Sequence, residues 1–166
     1  LVAFGDLLRV PVDAPRGAPG SLAAARAAGA DVRVIAESLD AARIAAADPG
    51  RPVVFLAAGF ETTMAPVAAL LAAGVPANLS LLLAGRRTWP IVARLLADDA
   101  GACDALVAPG HVATVMGPEE WDFVATRHGL PVAVAGFSPA SLLAAIAAVV
   151  AQRAAGVARV DNCYPE

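Results

Sequence analysis

His111 follows Pro109-Gly110 at the end of a β-branched run, where a backbone turn would present its imidazole to a cleft. Imidazole is a common metal ligand and titrates near neutrality. The plainer alternative is a histidine hydrogen-bonded to neighbouring backbone. Glu61 sits in Gly59-Phe60-Glu61-Thr62-Thr63, a carboxylate beside two hydroxyls in an apolar turn. It reads as a general base or metal ligand. It reads equally as part of a helix cap, with Thr62 or Thr63 at the N-cap and the carboxylate near the positive helix end. Asp6 and Arg9, in Phe4-Gly5-Asp6-Leu7-Leu8-Arg9-Val10-Pro11, suit either a polar ligand or an ion pair that orders the loop. His128, just before Gly129, fits a helix C-terminus, where a cation meets the negative dipole end. Cys103 and Cys163 are the only cysteines and form no CxxC or Cys/His pair, so alone they make neither a metal site nor a disulfide framework. No GxGxxG follows a strand, and there is no GxSxG elbow or HExxH.

These residues gain meaning from the elements that must position them. Short apolar runs at Leu1–Phe4, Val32–Ala36, Val53–Ala57, Leu79–Leu83, Ala105–Ala108 and Val132–Ala135 read as strands. Most are apolar throughout, which predicts parallel strands covered on both faces. Between them, Ser21–Ala28, Ser38–Ala47, Thr63–Ala73, Trp89–Ala97, Pro118–Arg127 and Pro139–Ala154 read as helices. Ser21, Ser38, Thr88 and Ser138 stand at N-cap positions, and Gly29, Gly74 and Gly129 at helix ends. Alternating strands and helices predict an α/β fold with mainly parallel sheets. In such folds ligands bind beyond the carboxyl ends of the strands. Four polar loops lie there: Phe4–Pro11, Gly59–Thr63, Ala108–Val112 and Gly136–Pro139. Pro11–Gly20, rich in Pro and Gly, reads as a loop, and Gly156–Glu166 shows no periodicity. Ala58-Gly59-Phe60-Glu61-Thr62 is echoed by Ala135-Gly136-Phe137-Ser138-Pro139. The echo suits two similar lobes and equally a chance likeness in an alanine-rich chain; the lobe reading puts a first lobe over 1–62, a second over 63–155, and 156–166 opening a further region.

Composition narrows the function classes. The chain has 166 residues, a net charge of −3 and 58% apolar residues. All of its basic residues are Arg, so P-loop and Schiff-base lysine chemistry are excluded. Mild acidity with scattered Arg argues against a nucleic-acid binder. The longest largely apolar run, 140–151, ends at Gln152 and Arg153, short of the ~20 residues a membrane span needs. No signal peptide is visible, and the chain reads as soluble and cytoplasmic. It opens on Leu1 inside an apolar run, which reads as a fragment.

Taken together the loops resemble the HypD family of hydrogenase maturation proteins. Phe4–Pro11 is similar to its FGDMxRVP segment, Gly29–Val34 to GADVR and Ser38–Ala41 to SPLDA. Val53–Thr63 resembles VVFFAxGFETT, Ala108–Val112 with Gly117 resembles APGHVSTIxG, and Val134–Pro139 resembles VAGFEP. The resemblance implies two Rossmann-like α/β lobes around a cleft, with Asp6, Arg9, Glu61, Thr62, Thr63 and His111 lining or supporting it. It implies a scaffold more than a turnover enzyme. With a HypC-like chaperone and other maturation proteins, it would hold iron while the Fe(CN)2CO group of NiFe-hydrogenases is assembled, and a further region would carry a [4Fe–4S] cluster. The family's CGTHE and GPGCPVC segments and its cluster cysteines have no counterpart here. A CSHKLVPP-like stretch reads Leu83-Ala84-Gly85-Arg86-Arg87-Thr88-Trp89-Pro90, Ala113 replaces Ser, and Cys163 stands for Gln in an ENQY-like tail. A fragment of a HypD protein and a drifted paralogue both fit. The competing readings are a cleft enzyme using His111 and Glu61 on a small molecule, and an inactive interaction module.

Overall fold

The computed structural model describes residues 1–98 and 103–164; residues 99–102 and 165–166, including Pro165 of the tail, lie outside the described residues. The chain divides by contacts into two compact units, Leu1–Arg86 and Arg87–Glu166. The division falls later than residue 62, because β4 (Leu79–Gly85) pairs along its whole length with β3 (Val53–Gly59) and so completes the first sheet.

In the first unit β1 (Val2–Phe4) leads into a 3-10 helix, Gly5–Arg9, where the sequence suggested only a loop. Pro11–Gly20 is a loop as expected, drawn together by the Val12 N–H donating to the Gly20 carbonyl at 3.0 Å. Then come α1 (Leu22–Ala27), β2 (Arg33–Ile35), α2 (Ser38–Ala47), β3, α3 (Glu61–Ala73) and β4. All four strands are parallel, in the order β2-β1-β3-β4. Phe55 is fully buried and meets the Phe4 ring edge-on at 5.3 Å, within a core that also holds Val2, Ile35, Val53, Val67 and Leu79. The expectation of strands covered on both faces holds for β1, whose consecutive residues Val2 and Ala3 are both buried, and fails for β3. Along β3, Val53, Phe55 and Ala57 are buried, whereas Val54 is exposed and Leu56 and Ala58 are half-buried. Ala41 and Ala45 of α2 and Val67 of α3 join the core, while α1 buries none of its residues.

The second unit runs α4 (Thr88–Asp98), β5 (Leu106–Pro109), α5 (Gly110–Met116), a 3-10 helix Pro118–Trp121, α6 (Asp122–His128), β6 (Val132–Ala135), α7 (Pro139–Ala155) and β7 (Val160–Asn162). Its three strands are parallel in the order β5-β6-β7. Here β6 meets the two-sided pattern. All four residues of β6 are buried: Val132 and Val134 pack with Val112, Trp121 and Val124, and Ala133 and Ala135 with Ala145 and Val149 of α7.

Local chemistry explains most of the boundaries. The Ser21 and Ser138 hydroxyls accept from the Ala24 and Ser141 N–H groups, as N-caps should. Ser38 is not a cap. Glu37 takes that place through a reciprocal capping box with Asp40, and Ser38 is buried, donating its hydroxyl to the Pro66 carbonyl at 3.2 Å. Gly74 and Gly129 end α3 and α6, with Gly129 in the left-handed region at φ 65°. The aperiodic tail supplies β7, a strand the sequence reading missed. It pairs with β6 and is flanked by Gln152, 1% exposed, which donates to the Val132 carbonyl at 3.1 Å and Asp161 Oδ2 at 3.0 Å and accepts from the Arg159 N–H at 3.0 Å. No helix among the described residues is long and apolar enough to cross a membrane.

Candidate functional site

The four polar loops divide two and two between the units, each pair at the carboxyl end of a parallel sheet. Glu61 and His111, the pair an enzyme reading would combine, therefore belong to different units.

In the first unit, Phe60 is the N-cap of α3 and offers no side-chain acceptor. Thr62 and Thr63 lie inside the helix, so the expectation of a threonine cap does not hold. Glu61 opens the helix and is buried, 6% exposed, with its carboxylate in the first turn, where the helix dipole favours negative charge. Thr62 is exposed and Thr63 half-buried. Thr63 is packed so tightly on Gly59 that a Cβ on that glycine would lie 2.6 Å from the threonine Cβ and Oγ1. In register across the sheet, a Cβ on Gly85 would meet Met64 Sδ at 2.7 Å. Two glycines side by side thus let the first turn of α3 settle onto the strand ends.

Beside this turn lies a cleft of about 730 Å³ lined by Phe4, Gly5, Asp6, Val34, Ile35, Ala36, Glu37, Ser38, Thr63 and Pro66. Of the site residues singled out in the sequence, Asp6 and Thr63 line it. Arg9, at the far end of the 3-10 helix, is exposed and does not line the cleft. No ion pair joins Asp6 to Arg9 among the described residues. Glu37, which the sequence reading passed over, carries the cleft's second carboxylate and is held by Arg43 at 2.8 Å.

In the second unit His111 is the second residue of α5 rather than part of a turn, and it is exposed. Its ring lies 4.8 Å from that of Phe137 and 5.8 Å, edge-on, from that of Tyr164. Phe137 is 79% exposed. Tyr164 lies against two glycines: a Cβ on Gly110 or on Gly136 would come within 2.6 Å of its ring. The buried Ser141 hydroxyl accepts from the Gly136 N–H at 2.9 Å and donates to the Cys163 carbonyl at 2.8 Å. Neither Tyr164 nor Ser141 carried a signal in the sequence beyond the ENQY-like tail and a position one turn into a helix.

The HypD family model, described as "Hydrogenase formation hypA family", matches residues 1–166. The chain belongs to the HypD family. It is 41% identical over 174 residues to the hydrogenase maturation factor HypD of Rhizobium leguminosarum bv. viciae, covering 99% of this chain and 44% of that protein. The Rhodobacter capsulatus HypD is 39% identical over 164 residues (97% and 42%) and the Escherichia coli K12 protein 38% over 165 residues (97% and 43%). The chain thus spans less than half the length of these curated HypD relatives.

A [4Fe–4S] cluster takes four thiolates, and this HypD segment has two cysteines. Cys103 packs against the core around Trp121, whereas Cys163 packs against the one on the other face of β6. Burial, and then the Asp161 carboxylate, push the Cys163 thiol above its ordinary value, which disfavours the thiolate a metal requires. Among the described residues no group of three or more His, Cys, Asp or Glu is placed to hold a metal ion. These residues by themselves do not fit a cluster or a protein-ligated iron.

Proposed function

We propose that the chain is the central portion of a HypD-type scaffold on which the Fe(CN)2CO group of NiFe-hydrogenases is assembled in the cytoplasm. It would act with a HypC-like chaperone and further maturation proteins. The observation that carries this reading is the family match over residues 1–166, together with the position of its GFETT and APGHV motifs. Both motifs fall at the carboxyl ends of parallel strands, where α/β folds bind ligands.

In this reading the chain contributes polar and aromatic surroundings, and thiolates for iron and cluster come from other parts of the longer protein. A low-spin iron carrying cyanide and carbon monoxide favours soft thiolate ligation, with neighbouring groups orienting its ligands. Asp6, Arg9, Glu61, Thr62, Thr63 and His111 are the residues assigned to that supporting role. The protein is a scaffold rather than a turnover enzyme.

The test uses the full-length protein that contains this chain, purified with its small chaperone and examined by infrared spectroscopy in the cyanide and carbonyl region. Bands from both ligands are expected. His111→Ala and Glu61→Gln should each weaken them about tenfold, the scale on which supporting residues affect metal sites. A full-length complex with no such bands, under conditions that mature the hydrogenase, overturns the proposal.

A further inference from the structure

His111 is exposed, and as the second residue of α5 it has no local bond in the helix that fixes its ring. Its two ring neighbours differ in how firmly they are held. Phe137 lies between β6 and the Ser138 cap and is 79% exposed, so it has little to hold it. Tyr164 is anchored through its backbone. Its N–H donates to Asn162 Oδ1 at 3.0 Å, while the preceding Cys163 donates its N–H to the Val134 carbonyl at 2.9 Å and accepts the Ser141 hydroxyl at 2.8 Å. The Tyr164 ring then rests on Gly110 and Gly136. At Gly110 the space is closed further by the Ala135 carbonyl, 2.8 Å from where a Cβ would stand. Gly110 immediately precedes His111, so the surface that seats the tyrosine ring is continuous with the backbone that carries the imidazole.

We propose that Tyr164 is a positioning residue for His111: the tail returns to lay a tyrosine ring across Gly110 and Gly136, and this ring fixes the orientation of the imidazole. Phe137, 79% exposed, is the imidazole's other ring neighbour. The value of the proposal for function rests on the reading of His111 as a site residue, but its geometry stands apart from that reading.

The chain has only two histidines, His111 and His128, so imidazole NMR signals give both a reporter and an internal control. In the intact chain, cross-peaks are expected between His111 and Tyr164 ring protons. Tyr164→Leu should move the His111 ring resonances by more than a linewidth and leave those of His128 in place. Tyr164→Phe, which keeps the ring, should restore the wild-type positions. Absence of the cross-peaks, or unmoved His111 signals in the leucine variant, overturns the proposal. If the leucine variant does not fold, the cross-peaks and the phenylalanine variant still decide: a phenylalanine variant with displaced His111 signals also overturns it. In the full-length protein, Tyr164→Leu should weaken the cyanide and carbonyl bands as His111→Ala does, with Tyr164→Phe retaining them. Bands that persist in His111→Ala would instead remove His111 from the function and leave the positioning intact.

Discussion

The carboxyl ends of β3 and β6 solve the same problem in different ways. Both are central strands of parallel sheets, and both run into Gly-Phe and then a helix. At β3 the helix starts at once, Glu61 is buried in its first turn, and the space over Gly59 is filled by Thr63 of that same helix. At β6 the helix waits for Ser138, and the space over Gly136 is filled by Tyr164 from the far end of the unit. The first arrangement is local and polar and borders an open cleft. The second is long-range and aromatic, and it covers the strand ends. The two strands differ likewise, since β6 is buried on both faces and β3 on alternate residues. A Gly-Phe pair thus marks a place where something must approach closely, and the partner that approaches depends on the surrounding fold.

The largest expected effect tests whether the first sheet rests on the core around Phe55. Phe55→Ala should cost about 4 kcal/mol, the scale for emptying a buried aromatic site, read from denaturant unfolding of the chain. Hydrogen exchange should report the loss in β1–β4. Equal loss of protection in β5–β7 would mean that the two regions do not respond separately, which breaks the comparison.

Gln152→Leu is its counterpart in the second unit. Removing a buried amide with three partners leaves a carbonyl, an N–H and part of a carboxylate without it. A cost of about 3 kcal/mol is expected, with protection lost first in β7. Retention of β7 protection would show that the strand does not depend on this side chain.

Paired glycine substitutions sharpen the contrast between local and long-range filling. Gly136→Ala should cost about 2 kcal/mol through overpacking, and Gly59→Ala at least as much, because its φ of 154° adds backbone strain to the clash. Adding Tyr164→Ala to Gly136→Ala should give much less than the sum of the separate costs, because the clashing ring is gone. Adding Thr63→Ala to Gly59→Ala should bring no comparable relief, since the Cβ at position 63 stays 2.6 Å away and the backbone strain at φ 154° remains. Equal rescue in both, measured by double-mutant cycles, would erase the distinction.

The smallest effect concerns acid. Asp161 is held below its ordinary carboxylate value first by its hydrogen bond to Arg159, at 2.7 Å, and also by Gln152. A folded value below the unfolded one contributes stability above the unfolded value. That stability is lost as pH falls through the folded value. Asp161→Asn should therefore lower stability slightly at neutral pH and flatten its fall in acid, visible as a shallower dependence of the melting temperature on pH.

How much was legible follows from where each signal resides. The six apolar strands and their intervening helices were readable because burial imposes periodicity on the sequence. The Ser21 and Ser138 caps were readable because capping is a short-range bond. Ser38 misled because Glu37, one residue earlier, forms the reciprocal box with Asp40. α5 was hidden because Pro109-Gly110 reads as a turn, although both residues are compatible with a helix start. β7 has almost no signal of its own, because it is three residues long and is held by its ladder to β6 and by Gln152 in a preceding helix.

By itself, then, the sequence determined the α/β class, the two Gly-Phe junctions and the family to which the chain belongs. All of these are written in local pattern and residue order. Only the tertiary structure decided that Asp6 and Thr63 line one cleft, that Glu61 is buried, and that the tail forms a strand followed by a tyrosine that covers two glycines and flanks His111. Those facts depend on close approach between residues distant in the chain, and periodicity and capping carry no record of such distances.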